Sequence, residues 1–180
     1  GPTALATEHT VWTDNKVLTL SLNGASNLAY STKYTVKIGN LMDANGYVLP
    51  DLYTYELQTA SPPSILSIAP ASSTTNVKIT DSIVVVFSKA MDTGSVETKM
   101  KLTRKYFAES TPVEMSKYNA TLGDTYYTTS WTSDNKVLTI KPSNDATEPH
   151  WMFNASYTLD LPATITDGSG YSGSTLHNAV

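Results

Sequence analysis

Apolar and polar residues alternate along this chain in short runs that Asn, Gly, Asp, Ser and Pro interrupt. A period of two marks strands with one buried face, and hardly any stretch carries the 3.6-residue period of an amphipathic helix. The pattern predicts strands over 17–22, 34–38, 52–57, 65–68, 83–87, 99–103, 126–131, 136–140 and 157–161. DTGSVE, residues 92–97, is the one place where a helical turn is expected. In IVVVF (83–87), Ile83, Val85 and Phe87 are expected on the core side. Val84 and Val86 would point to a second apolar face, one able to meet a neighbouring domain. Trp131, Val137, Leu159 and Leu161 are further core candidates. For every aromatic residue, packing is the first expectation.

Near-duplication organises these strands. WTDNKVLTL at 12–20 returns as WTSDNKVLTI at 131–140 with one extra residue. Asp14-Asn15 and Asp134-Asn135 stand between strand-like runs, where Asx residues tolerate positive φ, so both are expected to be tight hairpin turns. Tyr34-Thr35-Val36 then matches Tyr157-Thr158-Leu159, and LMDANGY (41–47) matches ITDGSGY (165–171). Matches in the same order at nearly constant spacing indicate a repeat of roughly 120 residues. The repeat boundary falls in TASPPS, residues 59–64, because a double proline leaves a strand ladder and favours an extended linker. The expected organisation is 1–60, the C-terminal half of one unit, and 61–180, a second unit without its last strand. An unpaired sheet edge in the second copy is then expected to accept a strand from another molecule. The opening Gly1-Pro2 reads as the remnant of a removed tag and is left out of the fold.

Composition narrows the class. The 180 residues are 40% hydrophobic, enough for a packed core, and no run of eighteen apolar residues suggests membrane insertion. A net charge of −4, shared equally by the two parts, disfavours nucleic acid, whose partners carry a basic excess. With no cysteine, disulfides, thiolate nucleophiles and thiolate metal ligands are excluded.

VVVFSKAMD (84–92), Gly94-Ser95-Val96, SWTSDNKVLTIKPS (130–143), NASYTLDL (154–161) and ITDGSGY together resemble the bacterial Ig-like repeat of S-layer and other surface proteins. The first sixty residues resemble the back half of the same pattern and end in the strand YTYELQT. The resemblance implies an all-β fold: tandem Ig-like β-sandwiches, one partial and one nearly complete. It also implies an extracellular place on the bacterial cell surface, a spacer, assembly or adhesive role, and no catalytic residues. Residues 104–129 are longer than the corresponding stretch of the family pattern, and the second copy is expected to lack its last strand.

Several motifs invite chemistry. GSGYSG (168–173) satisfies a dinucleotide fingerprint on paper, but no helix-like segment follows to hold a pyrophosphate. Asp43-x-Asn45-Gly46 and Asp167-x-Ser169-Gly170 begin like calcium loops and lack the closing bidentate Glu, so no cofactor is expected, calcium being the one candidate. His9, His150 and His177 lie far apart without zinc spacing, and no nucleophile elbow accompanies them. The sixteen carboxylates make chance pairs, without the groove a glycosidase needs.

Two clusters remain as candidate ligand or interface contacts. Lys99, Lys101, Arg104 and Lys105 form the densest basic run; Met100 and Leu102 alternate with the first two. The simplest expectation is the solvent face of an edge strand that its lysines protect from aggregation, with anionic cell-wall polymer as the sharper one. In EPHWMFN (148–154), Trp151 and Phe153 are placed to stack on sugar rings or to enter a domain interface, the alternative being a loop folded back on its core. Expected partners are neighbouring Ig-like domains or identical subunits, and cell-wall polysaccharide.

Overall fold

A computed structural model describes residues 7–22, 28–49, 53–115, 127–143 and 151–172. The chain divides into two compact units, Gly1–Ser61 and Pro62–Val180.

In the first unit, β1 (Thr7–Thr13) and β2 (Val17–Leu22) form an antiparallel hairpin that sets Trp12 opposite Leu18. Its turn needs two successive residues at positive φ. Asp14 (52°) and Asn15 (54°) supply them, and the Lys16 amide closes the turn on the Thr13 carbonyl at 3.1 Å. Both angles match a type I′ turn, whose twist suits paired strands. β3 (Lys33–Ile38) pairs antiparallel with β4 (Tyr53–Gln58) in a separate two-stranded sheet. Tyr34, Val36 and Ile38 alternate as the half-buried side of β3.

The second unit holds β5 (Ile65–Ala69), β6 (Ile83–Phe87), α1 (Thr93–Lys99), β7 (Lys101–Tyr106), β8 (Val113–Glu114), β9 (Tyr127–Trp131), β10 (Val137–Pro142) and β11 (Ala155–Asp160). One sheet has the order β5-β6-β10-β9 and the other β11-β7-β8, and every pair in both is antiparallel. Val85, Phe87, Leu138 and Ile140 from the first sheet and Leu102 and Leu159 from the second join one buried cluster, as in a two-layer β-sandwich. Ile83 packs against that cluster while Val84 and Val86 are half-buried, so the alternation of IVVVF has the expected sense. The fold is mostly β and consistent with an Ig-like sandwich.

The second Trp hairpin absorbs its extra residue by changing turn type. Trp131 again faces Leu138, but only Asn135 has positive φ (54°), after a bond from its amide to the Thr132 carbonyl. Ser133 lengthens the loop without moving the Trp–Leu pair.

Two expectations for the basic run fail. Lys99 is not in a strand: Asp92 caps a helix by accepting from the Ser95 amide at 3.1 Å, and α1 then continues through Lys99. Nor is β7 an edge strand, because β11 flanks one side and β8 the other. The long stretch 104–129 causes this, since its Val113–Glu114 segment returns to pair with Thr103 and Arg104. The Met115 amide extends the contact with a bond to the Leu102 carbonyl.

Candidate functional site

Strand geometry takes the basic run apart. Lys101 and Lys105 are exposed, while Arg104, at even spacing from buried Leu102, turns its guanidinium to the opposite face and is half-buried. Lys101 lies 3.7 Å from Glu114, and Lys99, at the helix end, donates to the Thr164 carbonyl at 2.6 Å. Neither extends the patch around Arg104. The Arg104 guanidinium sits 4.4 Å from the centroid of the Tyr106 ring and 3.7 Å from Glu109, whose carboxylate also accepts from the Tyr106 amide. Arg104 Nη1 approaches Met152 Sδ at 3.2 Å, and its Nε is buried with no hydrogen-bond partner.

Trp151 is not a surface stacking residue. It is 5% exposed and its indole Nε1 donates to the Asp81 carbonyl at 2.6 Å. Its ring leans on Tyr157 at 4.9 Å, and the Tyr157 hydroxyl accepts from the Met152 amide. A large amphipathic ring with a carbonyl available for its N–H gains more from burial than from solvent. Phe153 stays out, 75% exposed.

Phe107, which the motif reading passed over, is 97% exposed and its amide bonds the Asn154 carbonyl. Tyr106 pairs with Ala155, so Phe107 and Phe153 leave the same end of the β7–β11 ladder. Lys105, opposite Ser156, and Arg104, opposite Tyr157, are nearby in that ladder. That end of the β7–β11 ladder thus carries two exposed aromatic rings. The run RKYF at 104–107 held the signal; what hid it was reading those residues for charge alone.

The two Asp turns are built alike. Asp43 Oδ1 accepts from the amides of Asn45 and Tyr47, and Asp167 Oδ1 accepts from those of Ser169 and Tyr171. In both, the Asp amide bonds the Tyr carbonyl and the Gly amide bonds the Asp carbonyl, with Gly46 at φ 86° and Gly170 at φ 82°. Isolated bridges Met42–Val48 and Thr166–Ser172 close them. The Tyr47 amide, above all, holds the Asp43 carboxyl below the usual range. In the second turn Asp167 is buried, with Lys89 at 3.9 Å from its other oxygen. Gly168 and Gly170 of GSGYSG therefore belong to a backbone turn; Gly173 lies outside the described residues. So do His150 and His177 and the side chain of His9. Among the described residues no three carboxylates or imidazoles gather as metal ligands.

Below the surface, Glu97 Oε1 accepts from both the Trp131 indole Nε1 at 3.0 Å and the Thr129 hydroxyl at 2.8 Å. Trp131 also stacks on Phe87 at 5.8 Å. Burial, foremost, pushes the phenols of Tyr127 and Tyr157 up.

No curated protein and no solved structure matches this chain. The family described as bacterial Ig-like domain matches residues 59–178, the whole of the second unit's described strands together with α1. With two thirds of its length inside that match, the chain belongs to the bacterial Ig-like domain family.

Proposed function

We propose that this chain is a non-catalytic structural module of a secreted bacterial cell-surface protein, in which tandem Ig-like units space or assemble a surface layer. The observation that carries the reading is the shared construction of the two units. Each has a Trp–Leu hairpin pair, Trp12–Leu18 and Trp131–Leu138, and each has the same Asp-turn hydrogen bonds further along the chain. Family membership supports a surface setting, and Ig-like domains of this family are non-catalytic. The polar side chains best placed for chemistry, Glu97, Asp167 and Arg104, are engaged with Trp131, backbone amides and Tyr106 respectively. Fractionation of the producing bacterium tests this directly. The parent protein is expected in the cell envelope and open to protease added to intact cells; a protected cytosolic pool would end the reading.

The aromatic end of the β7–β11 ladder favours a second reading, a module that binds cell-wall glycan. Retention on purified cell wall is then expected to fall on Phe107→Ala plus Phe153→Ala. It is expected to be unaffected by Lys101→Ala at the far end of β7. Retention that ignores both phenylalanines would exclude this reading.

A further inference from the structure

Among the described residues, the buried side-chain polar atom left without a hydrogen-bond partner is Nε of Arg104. The rest of that guanidinium is engaged. Nη2 lies 3.7 Å from Glu109 Oε1, Nη1 lies 3.2 Å from Met152 Sδ, and the central carbon sits 4.4 Å from the Tyr106 ring centroid. A thioether sulfur is a weak acceptor, and a buried N–H without an acceptor costs more than an ordinary hydrogen bond gains. Strand pairing puts the sulfur there. Arg104 stands opposite Tyr157 in the β7–β11 ladder, and the Tyr157 hydroxyl accepts from the Met152 amide at 2.6 Å, which ties residue 152 back beside Arg104. The chain's other methionines stand differently: Met91, Met100 and Met115 are in the core at 1%, 6% and 4% exposure, and Met42 is 67% exposed. Met152 is half-buried, within reach of a small oxidant and already in contact with a cation.

We propose that Met152 is a reversible oxidation site, at which a peroxide converts the thioether to a sulfoxide and Arg104 binds the new oxygen. A sulfur lone pair attacks one oxygen of hydrogen peroxide and the O–O bond breaks. The proton of the transferred oxygen passes to the leaving oxygen, which departs as water; sulfur loses two electrons and the peroxide gains them. The sulfoxide oxygen is a far better acceptor than the sulfur it replaces, and the unbranched side chain of Met can turn it toward Nη1 and Nε. Oxidation thus gives the orphaned N–H an acceptor and ties the segment that carries Phe153 to β7 by a charge-assisted bond. With no cysteine in the chain, the return to the thioether takes its electrons from an outside thiol.

The test adds dilute hydrogen peroxide to the ¹⁵N-labelled full chain, locates added oxygen by peptide mapping with mass spectrometry, and follows the Arg104 Nε–H resonance. Met152 is expected to gain one oxygen alongside Met42 and before Met91, Met100 and Met115. Exchange of the Nε proton with solvent is expected to slow by roughly tenfold. Methionine sulfoxide reductase with dithiothreitol should reverse both changes. In Met152→Leu the peroxide should oxidise Met42 and leave Nε–H exchange as it was. Met152→Gln, which places a carbonyl oxygen at that point, should show the slowed exchange before any oxidant is added. Met152 still a thioether once Met42 is fully oxidised would overturn the inference. So would oxidised Met152 with Nε–H exchange unchanged or faster. The unsubstituted chain decides the matter even where a variant fails to fold.

Discussion

Glu97 and Trp131 are joined across 34 residues by one hydrogen bond of 3.0 Å, and it ties the only described helix to the hairpin. The same carboxylate oxygen also holds the Thr129 hydroxyl, so one side chain satisfies two donors on β9. Glu97→Ala leaves both without that acceptor and is expected to cost about 1.5–3 kcal/mol. Glu97→Gln keeps an acceptor oxygen and should recover much of the loss. Urea unfolding of the pair checks this; equal stability of Ala and Gln would show the bond contributes little.

Trp151 works as a core residue. Trp151→Phe keeps a ring against Tyr157 but loses the donor to the Asp81 carbonyl, an expected cost of about 1 kcal/mol. Trp151→Ala also leaves a cavity, for about 3–5 kcal/mol. Thermal unfolding followed by near-UV circular dichroism distinguishes the two. A Trp151→Ala protein as stable as the parent would contradict the burial.

Stability should have an acid limb and an alkaline limb. Asp43 and Asp134 have carboxyl pKa values below the ordinary 3.8 because the Tyr47 amide and the Thr132 hydroxyl, respectively, bond the charged form. Their contribution is present above 3.8 and is lost as pH falls through the folded-state values. Tyr127 and Tyr157 are raised above 10.0, chiefly by burial, so theirs is present below 10.0 and is lost as pH rises through the folded-state values. Melting temperature against pH should therefore fall at both ends. Asp43→Asn with Asp134→Asn flattens the acid limb, and Tyr127→Phe the alkaline one; unchanged slopes would refute the assignments.

Gly170 stands at φ 82°, where an added Cβ would meet no atom within 4 Å. Gly170→Ala therefore tests backbone strain without a clash, and about 1–2 kcal/mol of stability should be lost. Gly46, at φ 86° with equally open space, should respond alike. Because both Asp turns are closed by backbone amides, we also expect calcium or a chelator to leave the melting temperature unchanged. A calcium-dependent rise, abolished by Asp167→Asn, would show that a metal site exists.

Short-range order was legible from the residues themselves. Alternation marked the strands because side chains on a pleated strand point to opposite faces with a period of two. Asp-Asn and Asp-x-x-Gly marked the turns because few residues tolerate positive φ. Near-duplication of the Trp hairpin and the Asp turn was the ground for expecting a repeat, since the same local rules occur twice.

What tertiary structure alone decided were meetings between residues far apart in the chain. Val113–Glu114 returned to cover the side of β7 that its lysines suggested was bare, and Asp81, 70 residues from Trp151, offered the carbonyl that draws the indole inward. Phe107 and Phe153 came to leave the same end of the β7–β11 ladder only when Tyr106 paired with Ala155. A local pattern states which face of a segment is apolar; which distant partner covers that face depends on strand pairing and packing across the whole unit.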